Sequence, residues 1–232
     1  METSLKITAV CGWAIPPAWF GKLVSKYFQD ADVQVVYPSE PANSKEAQLL
    51  LKDSAHLYIG YSLGTLWLLY HRHYLPLMSR KALLAPILSF VKEDKMGGKI
   101  PERQLKYFLK KFSGATNHRT LFYDFYSHSG LFLGEEFFPG IPARSVLING
   151  LEFLYKVRVG GETTKNFSAF LGNNDLLLDS KDLKHHIPQL QIIQDTGHAP
   201  QMDKEPEFAQ AMRRAYNSWL GDFTRDAGGR VF

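Results

Sequence analysis

The fold is decided by residues 56–64, which read HLYIGYSLG. The apolar run up to Gly60 predicts a buried strand, and the residues from Ser62 to about Tyr70 predict a helix that follows it directly. The junction matches the pattern G-x-S-x-G, in which two glycines permit a tight, strained turn. Such a turn lifts the Ser62 hydroxyl above the edge of the sheet. The stretch therefore predicts a nucleophilic serine, with an inert serine in a small-residue turn as the alternative.

Strands and helices are predicted to alternate through most of the chain. Strands are predicted over residues 5–10, 33–37, 56–60, 81–85, 167–171 and 190–194, with helices over 17–28, 44–53, 62–70, 179–186 and 205–220. This alternation predicts a mostly parallel sheet of about six strands with helices on both faces. Residues 89–161 contain no predicted strand, only helical segments near 101–112, 116–127 and 143–156. We therefore predict an α/β core from residues 1–88 and 162–232, with a helical lid, residues 89–161, inserted in it.

Ser62 needs a base to activate its hydroxyl, and the base needs an acid that orients it. Among eight histidines, His198 follows the last predicted strand of the sheet. Asp175 follows the preceding strand through a glycine turn, while Asp179 is the alternative acid and also fits the N-cap of the next helix. The order Ser62, Asp175, His198 is typical of the α/β-hydrolase fold. It predicts that fold and a catalytic triad that uses no metal and no organic cofactor.

The tetrahedral intermediate of such chemistry needs two backbone N–H groups as an oxyanion hole. One is expected from Leu63, directly after the nucleophile, and the other from Trp13, in the turn after the first strand. Cys11 stands beside that turn as an alternative nucleophile, but it has no basic neighbour in the sequence that would favour a thiolate. We therefore expect Cys11 to be a packed thiol.

Composition sets limits on the class of protein. The 232 residues are 45% apolar and 22% charged, which is typical of a globular chain with one substantial core. The single cysteine, Cys11, fits a reducing compartment, and the apolar run Ile7 to Phe20 is interrupted by Pro16-Pro17 without a small-residue cleavage pattern. No stretch reaches about 18 uninterrupted apolar residues. We expect a cytoplasmic, monomeric protein with neither a membrane nor a nucleic acid as partner.

Together these motifs resemble the BioH family, pimeloyl-(acyl-carrier protein) methyl ester esterases of biotin synthesis. Gly60-Tyr-Ser-Leu-Gly64 is similar to that family's nucleophile elbow, and Gly197-His-Ala-Pro200 is similar to its histidine loop. The lid is similar at Gly97-Gly-Lys-Ile-Pro101 and at Asn149-Gly-Leu-Glu-Phe-Leu154. The short length and the Gly12-Trp13 turn also resemble BioG, a shorter enzyme with the same role. The resemblance implies a serine carboxylesterase that cleaves the methyl ester of a pimeloyl chain carried on an acidic acyl-carrier protein.

The lid holds the basic excess of the chain. Residues 91–120 contain eight basic and three acidic residues, in a chain whose net charge is +4. This segment is either a solvated helix face or a surface for an acidic partner. The resemblance implies that the carrier protein docks on Arg103, Lys106, Lys110, Lys111 and Arg119. It also implies an acyl channel, with plain lid core as the alternative, formed by Phe108, Phe112, Phe122, Phe125 and Tyr126.

Two other functions are compatible with parts of this sequence. A general carboxylesterase or thioesterase acting on another acyl substrate would use the same triad, but it would not need a basic lid. A non-catalytic binding protein with this fold would not need a nucleophile, an acid and a base in the right order. The sequence therefore favours an enzyme.

Overall fold

Six parallel strands form the centre of the structure. The computed structural model describes residues 4–114, 121, 125–127, 129 and 135–199. The strands are β1 (Lys6–Val10), β2 (Asp32–Val36), β3 (Leu57–Tyr61), β4 (Arg80–Leu84), β5 (Ser168–Gly172) and β6 (Gln191–Ile193). Their order across the sheet is β2-β1-β3-β4-β5-β6, and each neighbouring pair is parallel. The predicted sheet of about six strands is confirmed.

Helices connect these strands and cover the sheet. They are α1 (Pro17–Tyr27), α2 (Ser44–Leu50), α3 (Leu63–Tyr70), α4 (Glu102–Gly114), α5 (Arg144–Lys156) and α6 (Ser180–His186). Short 3-10 helices lie at Arg72–Tyr74, Lys92–Asp94, Glu135–Gly140 and Gly161–Thr164. The helix predicted over 205–220, and most of the one predicted over 116–127, lie outside the described residues. No helix in the described part of the chain is both long enough and apolar enough to cross a bilayer.

Side-chain caps fix where two of these helices begin. The Oδ1 of Asn43 accepts from the backbone N–H groups of Lys45 and Glu46, so Asn43 is the N-cap of α2. Asp179 caps α6 in the same way, because its Oδ1 accepts from the N–H groups of Lys181 and Asp182. The sequence had offered Asp179 both as a helix cap and as the alternative catalytic acid.

The topology gathers several loops at one edge of the sheet. All five residues of β3 are buried between β1 and β4, and the carboxyl ends of these parallel strands lie on the same side. The strand order reverses beside β1, and in open α/β sheets such a reversal opens a crevice at the carboxyl edge. Helices α4 and α5 belong to the chain between β4 and β5, and they pack against each other. The division of the chain into a core and a lid over 89–161 stays a prediction.

Candidate active site

Three side chains form a chain of hydrogen bonds at the carboxyl edge of the sheet. The Nε2 of His198 lies 2.9 Å from the Oγ of Ser62, and its Nδ1 lies 2.8 Å from the Oδ2 of Asp175. All three residues are buried. A carboxylate only accepts hydrogen bonds, so Nδ1 carries the proton and Nε2 is left to accept from the serine hydroxyl. The structure thus brings together the three residues that the sequence proposed as a triad, in the arrangement that such chemistry requires.

The turn that holds Ser62 is strained. Ser62 has φ 53° and ψ −116°, a conformation that a residue with a side chain rarely adopts, and its N–H donates to the Leu84 carbonyl at 2.9 Å. Gly64 permits the turn, because a Cβ there would lie 2.3 Å from the backbone oxygen of Val10. A Cβ on Gly60 would lie 2.8 Å from the oxygen of Gly64. The two glycines therefore let β3 pass directly into α3 with the serine at the bend.

The loop after β5 holds the acid in place. The Oδ1 of Asp175 accepts from the N–H groups of Leu177 and Leu178 at 2.7 and 2.9 Å, which leaves Oδ2 for His198. The carbonyl oxygen of Asp175 also accepts from the Nζ of Lys99 at 2.5 Å. Sequence reasoning missed this contact, because Lys99 stands 76 positions away in the chain and no local pattern relates the two segments.

Asp179 occupies a different place from the triad acid. Its carboxylate accepts from the backbone N–H groups at the start of α6, and these bonds, that of Asp182 first, hold its pKa below the ordinary value. The residue that hydrogen-bonds His198 in the structure is Asp175. The geometry therefore favours Asp175 over Asp179 as the orienting acid.

The two residues predicted to donate to an oxyanion lie on elements that meet beside Ser62. Leu63 is the first residue of α3, where backbone N–H groups have no acceptor within the helix. Trp13 lies in the turn after β1, and the close approach of Gly64 to Val10 brings the start of α3 against the end of that strand. The roles of these two N–H groups stay a prediction that this arrangement supports.

The side chain of Trp13 joins the turn after β1 to the lid. Its ring packs edge-on against the rings of Phe108, Phe112 and Phe125, with centroids 5.8, 5.7 and 4.7 Å away. Its Nε1 donates to the carbonyl of Leu147 in α5 at 2.8 Å. The turn predicted to supply an oxyanion donor thus contacts α4, Phe125 and α5, and the pattern of the sequence did not indicate these contacts.

A cavity of about 440 Å³ opens beside Ser62, and most of its wall is apolar. The volume falls within the range of about 300–1,000 Å³ that is common for small-molecule sites. Helix α4 supplies one wall and α5 another, and Leu176 and Leu177 of the acid loop complete it. The described residues that line it are Trp13, Ser62, Phe90, Lys99, Ile100, Gln104, Leu105, Tyr107, Phe108, Lys111, Leu121, Phe125, Leu151, Leu154, Leu176 and Leu177.

The predicted acyl channel is only partly what the structure shows. Phe108 and Phe125 line the cavity, but Phe112 and Tyr126 do not. Phe112 is fully buried against Trp13, and Tyr126 is buried with its hydroxyl donating to the Ala14 carbonyl at 2.6 Å. Both residues pack against the turn after β1. Phe122 lies outside the described residues.

The basic residues proposed for carrier docking divide into two groups. Arg103, Lys106 and Lys110 are exposed on α4, and Lys106 pairs with Glu102 at 2.9 Å. Lys111 is also exposed, yet it lines the cavity. Arg119 lies outside the described residues.

Neither a thiol nor a metal site competes with this arrangement in the part of the chain that the structure describes. Cys11 is fully buried, and burial raises the pKa of its thiol well above the ordinary value, so that a thiolate is disfavoured. Across the same residues, no group of three or more His, Cys, Asp or Glu side chains is placed to hold a metal ion.

Known proteins resemble this chain in fold but not in sequence. A search of protein-family models and of curated proteins finds no match. A hydrolase from Pseudomonas aeruginosa has a TM-score of 0.66 at 14% identity, with 95% of this chain and 91% of that one covered. A lipase-esterase related protein from Clostridium acetobutylicum has a TM-score of 0.64 at 16% identity, covering 92% and 95%. A thermophilic esterase from Thermogutta terrifontis has a TM-score of 0.62 at 13% identity, covering 94% and 91%. With its six parallel strands and covering helices, the chain has the α/β-hydrolase fold.

Proposed function

We propose that this protein is a serine hydrolase that cleaves carboxylic esters through an acyl-enzyme on Ser62. The observation that carries the proposal is the hydrogen-bonded chain from the Ser62 Oγ through His198 to Asp175, beside an apolar cavity. The names of the structural neighbours, among them an esterase and a lipase-esterase related protein, point the same way.

The reaction has two halves that the same residues serve. In the first, the Nε2 of His198 takes the hydroxyl proton as the Ser62 Oγ attacks the ester carbonyl, and the N–H groups of Leu63 and Trp13 hold the oxyanion. The C–O bond to the leaving alcohol then breaks, and His198 returns its proton to that oxygen. In the second half, His198 deprotonates a water molecule that attacks the acyl carbonyl. Collapse of this intermediate releases the acid and restores the Ser62 hydroxyl.

Turnover of chromogenic short-chain esters tests this proposal. The wild-type protein should release the alcohol in a burst when deacylation is slower than acylation. Ser62→Ala should lower kcat by at least about 10⁴-fold. Ser54→Ala changes an exposed serine elsewhere and serves as the matched control. A Ser62→Ala protein that hydrolyses these esters as fast as the wild type would exclude the proposed nucleophile.

For the natural substrate, we propose the methyl ester of a pimeloyl chain on an acyl-carrier protein. Support comes from the resemblance of the elbow, the histidine loop and the lid to the BioH family. It also comes from the exposed cations Arg103, Lys106 and Lys110, which suit an acidic carrier. Their spacing of three and four residues places them along one side of α4.

Two experiments separate this substrate from a general ester or thioester. A biotin-requiring bacterial strain that lacks its own esterase should grow with the wild-type gene and should not grow with Ser62→Ala. The double charge reversal Arg103→Glu/Lys110→Glu should lower kcat/KM for the carrier-linked ester and flatten its dependence on salt. If growth is not restored by soluble protein, or if charge reversal changes neither quantity, the substrate is another acyl ester.

A further inference from the structure

The charged side chains that line the cavity beside Ser62 are all basic among the described residues. Among the described residues that line it, two are lysines, Lys99 and Lys111, and none is an aspartate or a glutamate. The rest of the wall is mostly apolar. Such a wall complements a ligand that is apolar along part of its length and carries a negative charge.

Lys99 has donors available to such a ligand. Its Nζ donates one hydrogen bond to the Asp175 carbonyl, whereas an ammonium group has three donors. The side chain is half-buried, so its charge is less screened by solvent than that of a lysine on an open surface. The charge of Lys99 also contributes, after the backbone bonds, to the lowered pKa of Asp179, but the Asp179 carboxylate is occupied in capping α6.

Lys111 differs from the other cations of α4. Within the described residues, no carboxylate oxygen lies within 4 Å of its Nζ, whereas Lys106 pairs with Glu102. Successive residues of a helix are about a quarter of a turn apart, so Lys111 points in a different direction from Lys110. Lys111 lines the cavity, whereas Lys110 does not. Lys111 therefore adds to the cavity a positive charge that no carboxylate of the described residues pairs with.

Side-chain exposure distinguishes the inner end of the cavity from its outer end. Ser62 is 7% exposed, whereas Tyr107 and Leu176, which line the same cavity, are 64% and 63% exposed. The cavity thus runs from the buried serine to solvent. A ligand with its ester at Ser62 extends past apolar side chains before it reaches the rim, where Lys111 is exposed.

We propose that this cavity selects esters that carry an anionic group, a carboxylate or a phosphate, on the part of the molecule away from the scissile bond. Lys99 and Lys111 recognise that group, and both are specificity-determining residues. The inference rests on the proposed function, because the ester at Ser62 sets which part of the ligand meets the lysines. It assigns Lys111 to the substrate itself and not to a docked protein.

Matched ester substrates test this inference. Three series of equal chain length are compared: methyl esters that end in a carboxylate, in a phosphate monoester, or in a neutral primary amide. The readout is the ratio of kcat/KM for the charged ester to that for the neutral ester, measured for each variant. General losses of activity cancel in this ratio, which matters for Lys99 because it also contacts the acid loop. The carboxylate and phosphate series show which anion the site prefers.

The wild type should favour at least one charged series, and Lys111→Met and Lys99→Met should each lower that ratio by about fivefold. Lys99→Arg should restore much of the preference. Lys92→Met removes an exposed lid lysine that does not line the cavity, and it should leave the ratio unchanged. Equal kcat/KM for charged and neutral esters in an active wild type would overturn this inference alone. A wild type that hydrolyses no ester would overturn the proposed function and this inference with it.

Discussion

The Nε1 of Trp13 donates a 2.8 Å hydrogen bond to the carbonyl oxygen of Leu147, across 134 positions of the chain. This bond ties the turn after β1 to helix α5. A second bond does the same from another part of the lid, since the Tyr126 hydroxyl donates to the Ala14 carbonyl at 2.6 Å. The turn that is expected to supply one oxyanion donor is therefore held in place by contacts with α5 and Tyr126, and not only by the sheet.

Trp13→Phe tests what this bond contributes. The substitution removes the donor and leaves a gap in the packing, so we expect a loss in the free energy of unfolding and a lower kcat. Trp67→Phe is the matched control, because Trp67 is also fully buried but its Nε1 has no hydrogen-bond partner among the described residues. In urea denaturation, Trp13→Phe should cost about 1–2 kcal/mol more than Trp67→Phe. Equal costs would mean that the hydrogen bond adds nothing.

Asp175 and Asp179 are expected to differ sharply in catalysis. An asparagine at 175 has an amide that donates as well as accepts, so it no longer holds His198 with Nε2 as the acceptor. Asp175→Asn should lower kcat by about 10⁴-fold. Asp179→Asn should leave kcat within about twofold, because asparagine caps helices as well as aspartate does. Steady-state ester hydrolysis decides between them, and a larger loss in Asp179→Asn would reverse the assignment of the acid.

Asp179 should instead contribute to how stability depends on pH. Backbone N–H groups at the start of α6 lower its pKa in the folded protein, so the folded state binds this proton less readily than the unfolded state. The resulting stabilisation is present above the unfolded pKa of about 3.9 and is lost as the pH falls through the lower folded value. Chemical denaturation at pH 6 and pH 3 should show that the advantage of wild type over Asp179→Asn shrinks at the lower pH. An advantage that is unchanged or larger at pH 3 would contradict this.

Gly64 is expected to tolerate no side chain. A Cβ there would lie 2.3 Å from the backbone oxygen of Val10, and neither atom could move away by a side-chain rotation. Gly64→Ala should therefore abolish activity and cost more than about 4 kcal/mol of stability or prevent folding. Gly114→Ala, at the end of α4, meets no atom within 4 Å and should be neutral or stabilising by up to about 1 kcal/mol. Thermal melts and ester hydrolysis of both variants provide the comparison.

The strand-to-helix turn and the order of the triad could be predicted because each depends on local patterns. A buried run followed by G-x-S-x-G predicts the bend at Ser62 from neighbouring residues alone. The order of Asp175 and His198 after strands of one sheet then places them at the same edge. The bounds of the described strands and helices also agree with the sequence to within about three residues.

The segment between β4 and β5 could be predicted less well, because the direction in which its side chains point depends on packing between distant segments. Aromatic residues four apart on α4 look alike in sequence, yet Phe108 lines the cavity and Phe112 is buried against Trp13. The bond from Lys99 to the acid loop likewise joins segments that no local pattern relates. The cap of α2 shows the same limit at short range, because Asn43 and Ser44 are both good caps and only the backbone at Asn43 is extended.

The central claim, that Ser62 is an activated nucleophile, is tested most directly by labelling with a fluorophosphonate and locating the adduct by peptide mass spectrometry. The native protein should carry one adduct, on Ser62, and His198→Ala should label far more slowly because the serine loses its base. Protein unfolded in urea is the control and should stay unlabelled. A folded wild-type protein that remains unlabelled, or one that is labelled on another residue with Ser62 unmodified, would contradict the account.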